Sequence, residues 1–145
     1  MKIGIIGSGH VGLVTGACFA DLGNEVICMD HDKKKIQLLG TGKVPFYEPG
    51  LSELVQKNVK AARLRFTSSV PEAVRFSEII FLCVGTPPRD NGEADLSSIE
   101  HAAQAIAKSL NEYRLIVEKS TVPVETGAQL YRTIKEFNRK KIPFA

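Results

Sequence analysis

The sequence predicts an α/β protein built as a doubly wound parallel sheet with helices on both faces. Two observations point there. Apolar runs of strand length alternate with amphipathic runs of helix length along the whole chain, with no internal repeat or low-complexity segment between them. The first apolar run leads directly into Gly7, Gly9 and Gly12, a spacing that suits a strand, a tight turn and a helix in succession.

The elements follow in order. Residues 2–7 read as the first strand and 11–22 as a helix stopped by Gly23. Residues 25–29 form a second apolar strand, and 32–39 a short helix. Next comes a proline-bracketed loop, Val-Pro-Phe-Tyr-Glu-Pro-Gly, and a helix from 51 to about 62, so this crossover is longer than the others. Residues 64–67 give a third strand. Ser69 with Glu72 makes a capping box before a short helix, and 78–84 is an apolar fourth strand. Ser97 with Glu100 repeats the box, opening a helix with Ile99, Ala102, Ala103, Ile106 and Leu110 on one face. Residues 115–120 give a fifth strand and 125–137 a last helix. The closing Lys-Ile-Pro-Phe-Ala falls where the pattern calls for another strand, so residues 1–145 read as one domain truncated before its last strand.

The composition, 43% hydrophobic and 24% charged, is that of an ordinary globular protein. Nineteen Lys and Arg against sixteen Asp and Glu leave a net charge of +3, with the basic residues scattered apart from Lys33–Lys35 and Arg139–Lys141. That excludes a nucleic-acid footprint, which needs a clustered basic stripe. No run is long enough to span a bilayer. Cys18, Cys28 and Cys83 sit among apolar neighbours and read as core, and their odd number closes no disulfide framework, which points to a reducing, cytoplasmic setting. His10, His31 and His101 share no ligand-like spacing with cysteines or acids, so no metal site is expected.

Glycine inside a regular element costs roughly 0.5–1 kcal/mol relative to alanine, so three of them need a reason. In a Rossmann-type fold the first makes the strand-to-helix turn, the second admits a pyrophosphate to the backbone, and the third lets helix and sheet pack closely. Gly7, Gly9 and Gly12 suit those roles, with the phosphates at the N-terminus of the following helix, beside His10 and Val11. Asp30, at the end of the second strand, would accept hydrogen bonds from a ribose diol and repel a 2′-phosphate, which favours NAD over NADP. Lys35 reads equally as a cofactor contact or a solvated helix face.

Ligands of such sheets bind beyond the C-terminal strand ends, at the switch between the first and fourth strands. There the fourth strand ends in Val84, Gly85 and Thr86, before two prolines, with the Thr86 hydroxyl expected to face the glycine loop. The fifth ends in Ser120 and Thr121, whose hydroxyls either bind cofactor, position a water for proton transfer, or cap the next helix.

Four stretches, GSGHVG, VPFYEPGL, VGTPPRDNGEADLSSIE and EKSTVP, together resemble the N-terminal domain of the UDP-glucose/GDP-mannose dehydrogenase family over essentially all 145 residues. The resemblance implies NAD as cofactor and a nucleotide-sugar partner, UDP-glucose first, oxidised at its C6 hydroxyl to a carboxylate through a cysteine-bound intermediate. It implies cofactor contacts at Val11, Asp30, Lys35, Thr86 and Thr121, with Thr121 also beside the catalytic water, and a parent that is a homodimer or larger. His10 stands where the family often has tyrosine. The family's glutamate, lysine, asparagine and nucleophilic cysteine have no counterparts here, so the substrate-binding and catalytic-cysteine domains are absent and the chain alone should bind cofactor without turnover. The other readings are the cofactor domain of a β-hydroxyacid-type dehydrogenase, against which the Glu-Pro-Gly-Leu loop argues, and a non-catalytic dinucleotide-binding module.

Overall fold

A computed structural model describes residues 1–145. Five strands, β1 (Lys2–Ile6), β2 (Glu25–Met29), β3 (Leu64–Thr67), β4 (Ile79–Leu82) and β5 (Leu115–Glu118), form one sheet in the order β3-β2-β1-β4-β5. All four pairings are parallel. The chain winds outward from β1 in one direction and then from β4 in the other, which makes the β1–β4 boundary the switch point. A parallel sheet must be covered on both faces, and β1 and β2 accordingly bury four of their five residues each.

Six helices provide the cover: α1 (His10–Asp21), α2 (Lys33–Gly40), α3 (Leu51–Lys60), α4 (Val70–Phe76), α5 (Ser97–Ser109) and α6 (Thr126–Phe137). One face packs Ile5, Leu13, Val26, Leu39, Val55 and Leu64 under the first three helices. The other packs Ile27, Ile80, Leu82, Ile106, Leu130 and Ile134 under the last three. Each fully buried aliphatic side chain contributes about 1.5–3 kcal/mol of transfer free energy.

Every predicted element is present in the predicted order, with shifts at its ends. The fourth and fifth strands stop at Leu82 and Glu118, short of the expected Val84 and Ser120. The expected buried face of α5 is met at all five positions. The box at Ser97 does not form. α5 starts after Leu96: the Asp95 carboxylate accepts the Ser97 N–H, at 3.0 Å, in place of Glu100, and the Glu100 N–H donates to the Leu96 carbonyl rather than to the Ser97 hydroxyl. Glu100 instead accepts from Gln129 on α6. At α4 half of the box forms: Ser69 accepts from the Glu72 N–H, while the Glu72 carboxylate takes the Thr67 hydroxyl. At the chain's end Phe144 forms a parallel bridge with Arg114, and the Ile116 N–H donates to Ala145, so this segment lies against the open edge of β5.

Candidate functional site

The turn after β1 is dictated by steric exclusion. Gly7 has φ +103°, and a Cβ there would lie 2.5 Å from the Cys83 carbonyl oxygen, so only glycine fits. A Cβ on Gly12 would lie 1.8 Å from the Gly7 carbonyl oxygen, since α1 begins pressed against the turn it leaves. Gly9 differs: a Cβ there would meet nothing within 4 Å, so its bare backbone faces open space. Gly9 also caps α1 without any side-chain hydrogen bond, whereas Asp32 and Ser69 cap α2 and α4 with theirs. The first N–H groups of α1 have no intrahelical acceptor, and the helix dipole adds to their pull on an anion.

Gly16 completes the packing, because a Cβ there would sit 2.5 Å from the Cys28 sulfur. It lies outside the motif spacing, so nothing in the local pattern marks it.

Asp30, directly after β2, is 5% exposed. One of its oxygens accepts from the Ser8 N–H at 3.1 Å and from Lys35 Nζ at 2.8 Å, and the other from the Asp32 N–H at 3.0 Å. Burial pushes its pKa up, but the Lys35 hydrogen bond and charge, with the two amides, outweigh that and hold the carboxyl below its usual range. The carboxylate is therefore ionised, fixed and tied to the glycine turn. Ser8, fully buried, adds a second tie by donating its hydroxyl to the Met29 carbonyl at 3.1 Å. A serine between two glycines gave no signal of this, since its partners come from β2.

A cavity of about 520 Å³ opens at this end of the sheet, over the switch point. Gly7 and Gly9 line it from β1, Asp30 and Lys35 from the β2 side, and Val84 and Gly85 from β4. Its far wall is α5, through Ser98, His101, Ala102 and Ala105. Sequence reasoning missed that wall: the small residues at 98, 102 and 105 carry no motif, and only the sheet order brings α5 across from Asp30. His10, Val11, Thr86, Ser120 and Thr121 lie outside this cavity, while Gly12 is buried behind the turn.

Thr86 and Thr121 meet each other. The Thr86 hydroxyl donates to the Thr121 carbonyl at 2.8 Å, joining the loops that leave β4 and β5 rather than facing the glycines. Ser120 caps no helix, because α6 begins only at Thr126 with Glu125 as its cap. Its N–H donates to one Glu118 oxygen at 2.6 Å, and the other Glu118 oxygen is buried without a partner.

The cysteines divide differently from expectation. Cys28 is buried, but Cys18 is exposed, because it falls on the outer side of α1, whose inner side is taken by Gly16, Ala17 and Ala20. Cys83 lies just past β4 and lines the cavity, where burial pushes its thiol up to about 11 and leaves it a poor nucleophile.

A glycine turn feeding an uncapped helix, an ionised acid at the end of the next strand and a cavity across the switch point define a dinucleotide-binding α/β domain. Its family follows from comparison: residues 1–144 match the NAD binding domain of the UDP-glucose/GDP-mannose dehydrogenase family, and the chain belongs to that family. It is 49% identical over 143 residues to UDP-glucose 6-dehydrogenase TuaD of Bacillus subtilis, covering 99% of this chain and 31% of that protein. It is 50% identical over 139 residues to UDP-glucose 6-dehydrogenase of Rhizobium meliloti, covering 95% of this chain and 32% of that protein. A solved ternary complex of GDP-mannose dehydrogenase from Pseudomonas aeruginosa superposes with TM-score 0.94 at 36% identity, covering all of this chain and 35% of that one. The chain thus spans about a third of the length of the relatives it matches.

Proposed function

We propose that this chain is the cofactor-binding third of a nucleotide-sugar 6-dehydrogenase that converts UDP-glucose to UDP-glucuronate with NAD. The observation that carries the reading is the near-half identity to UDP-glucose 6-dehydrogenases over nearly the whole chain. The residues present suit the cofactor, because the one motif glycine with open space beyond it faces the cavity that also holds the ionised Asp30.

Bound NAD supplies the hydride acceptor. The roles of the chain's own residues follow from charge and reach. The Gly9, His10 and Val11 backbone N–H groups at the start of α1 hold the pyrophosphate, with Gly9 leaving room for it and Gly7 and Gly12 allowing the tight turn and the close packing of α1 against it. Asp30 accepts from the adenosine ribose diol, while Lys35 keeps that carboxylate in place. Val84 and Gly85 line the cavity from β4. Thr86, Ser120 and Thr121 hold the nicotinamide end, and the Thr121 hydroxyl positions the water of the hydrolytic step.

The substrate pocket and catalytic cysteine belong to residues outside 1–145, in a parent that is cytoplasmic and a homodimer or larger. The Phe144–Arg114 bridge supports a sixth strand continuing beside β5. The test is an assay of the intact gene product with UDP-glucose and NAD, reading NADH and UDP-glucuronate together. Formation of both is expected, and formation of neither by folded protein overturns the reading. With this chain alone, NAD binds and no NADH forms.

A further inference from the structure

The crossover between β2 and β3 reaches back to the phosphate turn. His10, first residue of α1, hydrogen-bonds through Nε2 to Glu48 Oε2 at 2.5 Å, across 38 positions of sequence. Its ring stacks on Phe46, with centroids 4.7 Å apart and planes 20° from parallel. The loop bearing both partners is fixed below. Phe46 packs against the core cluster under α1, Gly50 at φ +76° makes the turn into α3, and Leu51 is buried. His10 therefore has two partners, both drawn from a loop that is itself anchored in the core.

A carboxylate at the head of α1 is favoured by the helix dipole, and Glu48, so placed, directs a hydrogen bond to the His10 ring. His10 also carries one of the free N–H groups at the head of α1, so whatever fixes its side chain fixes that donor. We propose that His10 and Glu48 form a positioning clasp by which the 44–50 loop holds the phosphate turn in its binding geometry, setting the affinity for NAD. The proposal rests on the NAD reading above. Glu48 and Phe46 are positioning residues in it, touching His10 and not the cofactor.

The test is a double-mutant cycle on NAD affinity, by isothermal titration of the wild-type chain, His10→Asn, Glu48→Gln and the double variant. Each single variant is expected to weaken NAD by about threefold to tenfold, and the double to be no weaker than the worse single, because both remove the same contact. Adenosine, which has no phosphate and reads only the Asp30 side of the cavity, should bind all four alike when followed by amide chemical shifts. That split separates positioning from a general loss of structure. Phe46→Leu, which keeps an apolar side chain over the core and removes the ring stack, should weaken NAD in the same direction and decides the question if a polar variant fails to fold.

The clasp is overturned if the single variants bind NAD like wild type, if their losses multiply in the double, if adenosine weakens in parallel, or if Glu48→Gln binds NAD more tightly. Failure of wild type to bind NAD at all would instead overturn the reading beneath it.

Discussion

At the scale of single residues, the three motif glycines are not equivalent, and substitution separates them. Gly12→Ala forces a methyl against the Gly7 carbonyl oxygen, so it should destabilise the fold by about 3 kcal/mol, read as a lowered denaturation midpoint. Gly9→Ala meets nothing in the protein and, costing only the difference between glycine and alanine as an N-cap, should lower that midpoint less than Gly12→Ala while weakening NAD, since the methyl projects toward the proposed pyrophosphate position. Asp30 carries a pH signature. Its pKa is depressed in the folded state, so its stabilising contribution is complete above the unfolded value of about 3.9 and is lost as pH falls through the folded one. The stability gap between wild type and Asp30→Asn, measured by urea unfolding, should be constant from neutral pH down to about 5 and shrink below about 4. A gap that widened on acidification would contradict the Lys35 and amide contacts as its source.

At the scale of elements, ends are set by capping groups that pattern alone identifies unevenly. Buried Arg114 donates to the carbonyls of Val74 and Arg75, closing the C-terminus of α4. Arg114→Ala should therefore cost about 3 kcal/mol and lower hydrogen-exchange protection first in α4. Ser69→Ala, at the other end, should cost about 1 kcal/mol, read by the same unfolding measurement. Periodicity made the elements legible: the inward positions of α5 from Ile99 to Leu110 follow directly from their spacing. It misled at Ser97, whose N–H is taken by Asp95 while Glu100 turns to Gln129, and at Cys18, whose apolar neighbours hid its place on the outer side of α1. The role of Arg114 was not legible at all, since the α4 carbonyls it closes lie about 40 residues away.

At the scale of the whole molecule, the site is a product of sheet order. The glycine turn and Asp30 could be read from the sequence because they belong to one strand–helix–strand unit, in which local spacing fixes spatial relation. The α5 wall, Ser8, and the reach of Glu48 to His10 depend on how distant elements are laid side by side, and no local pattern encodes that. The central claim is that this architecture reads NAD through the Asp30 carboxylate. The measurement that tests it most directly is isothermal titration of NAD and NADP into the wild-type chain and into Asp30→Ala. NAD should bind the wild type at least about tenfold more tightly than NADP, and Asp30→Ala should lose most of that preference, as expected for one charged hydrogen bond. Equal affinity for the two cofactors, or a preference that survives in folded Asp30→Ala, would contradict the account.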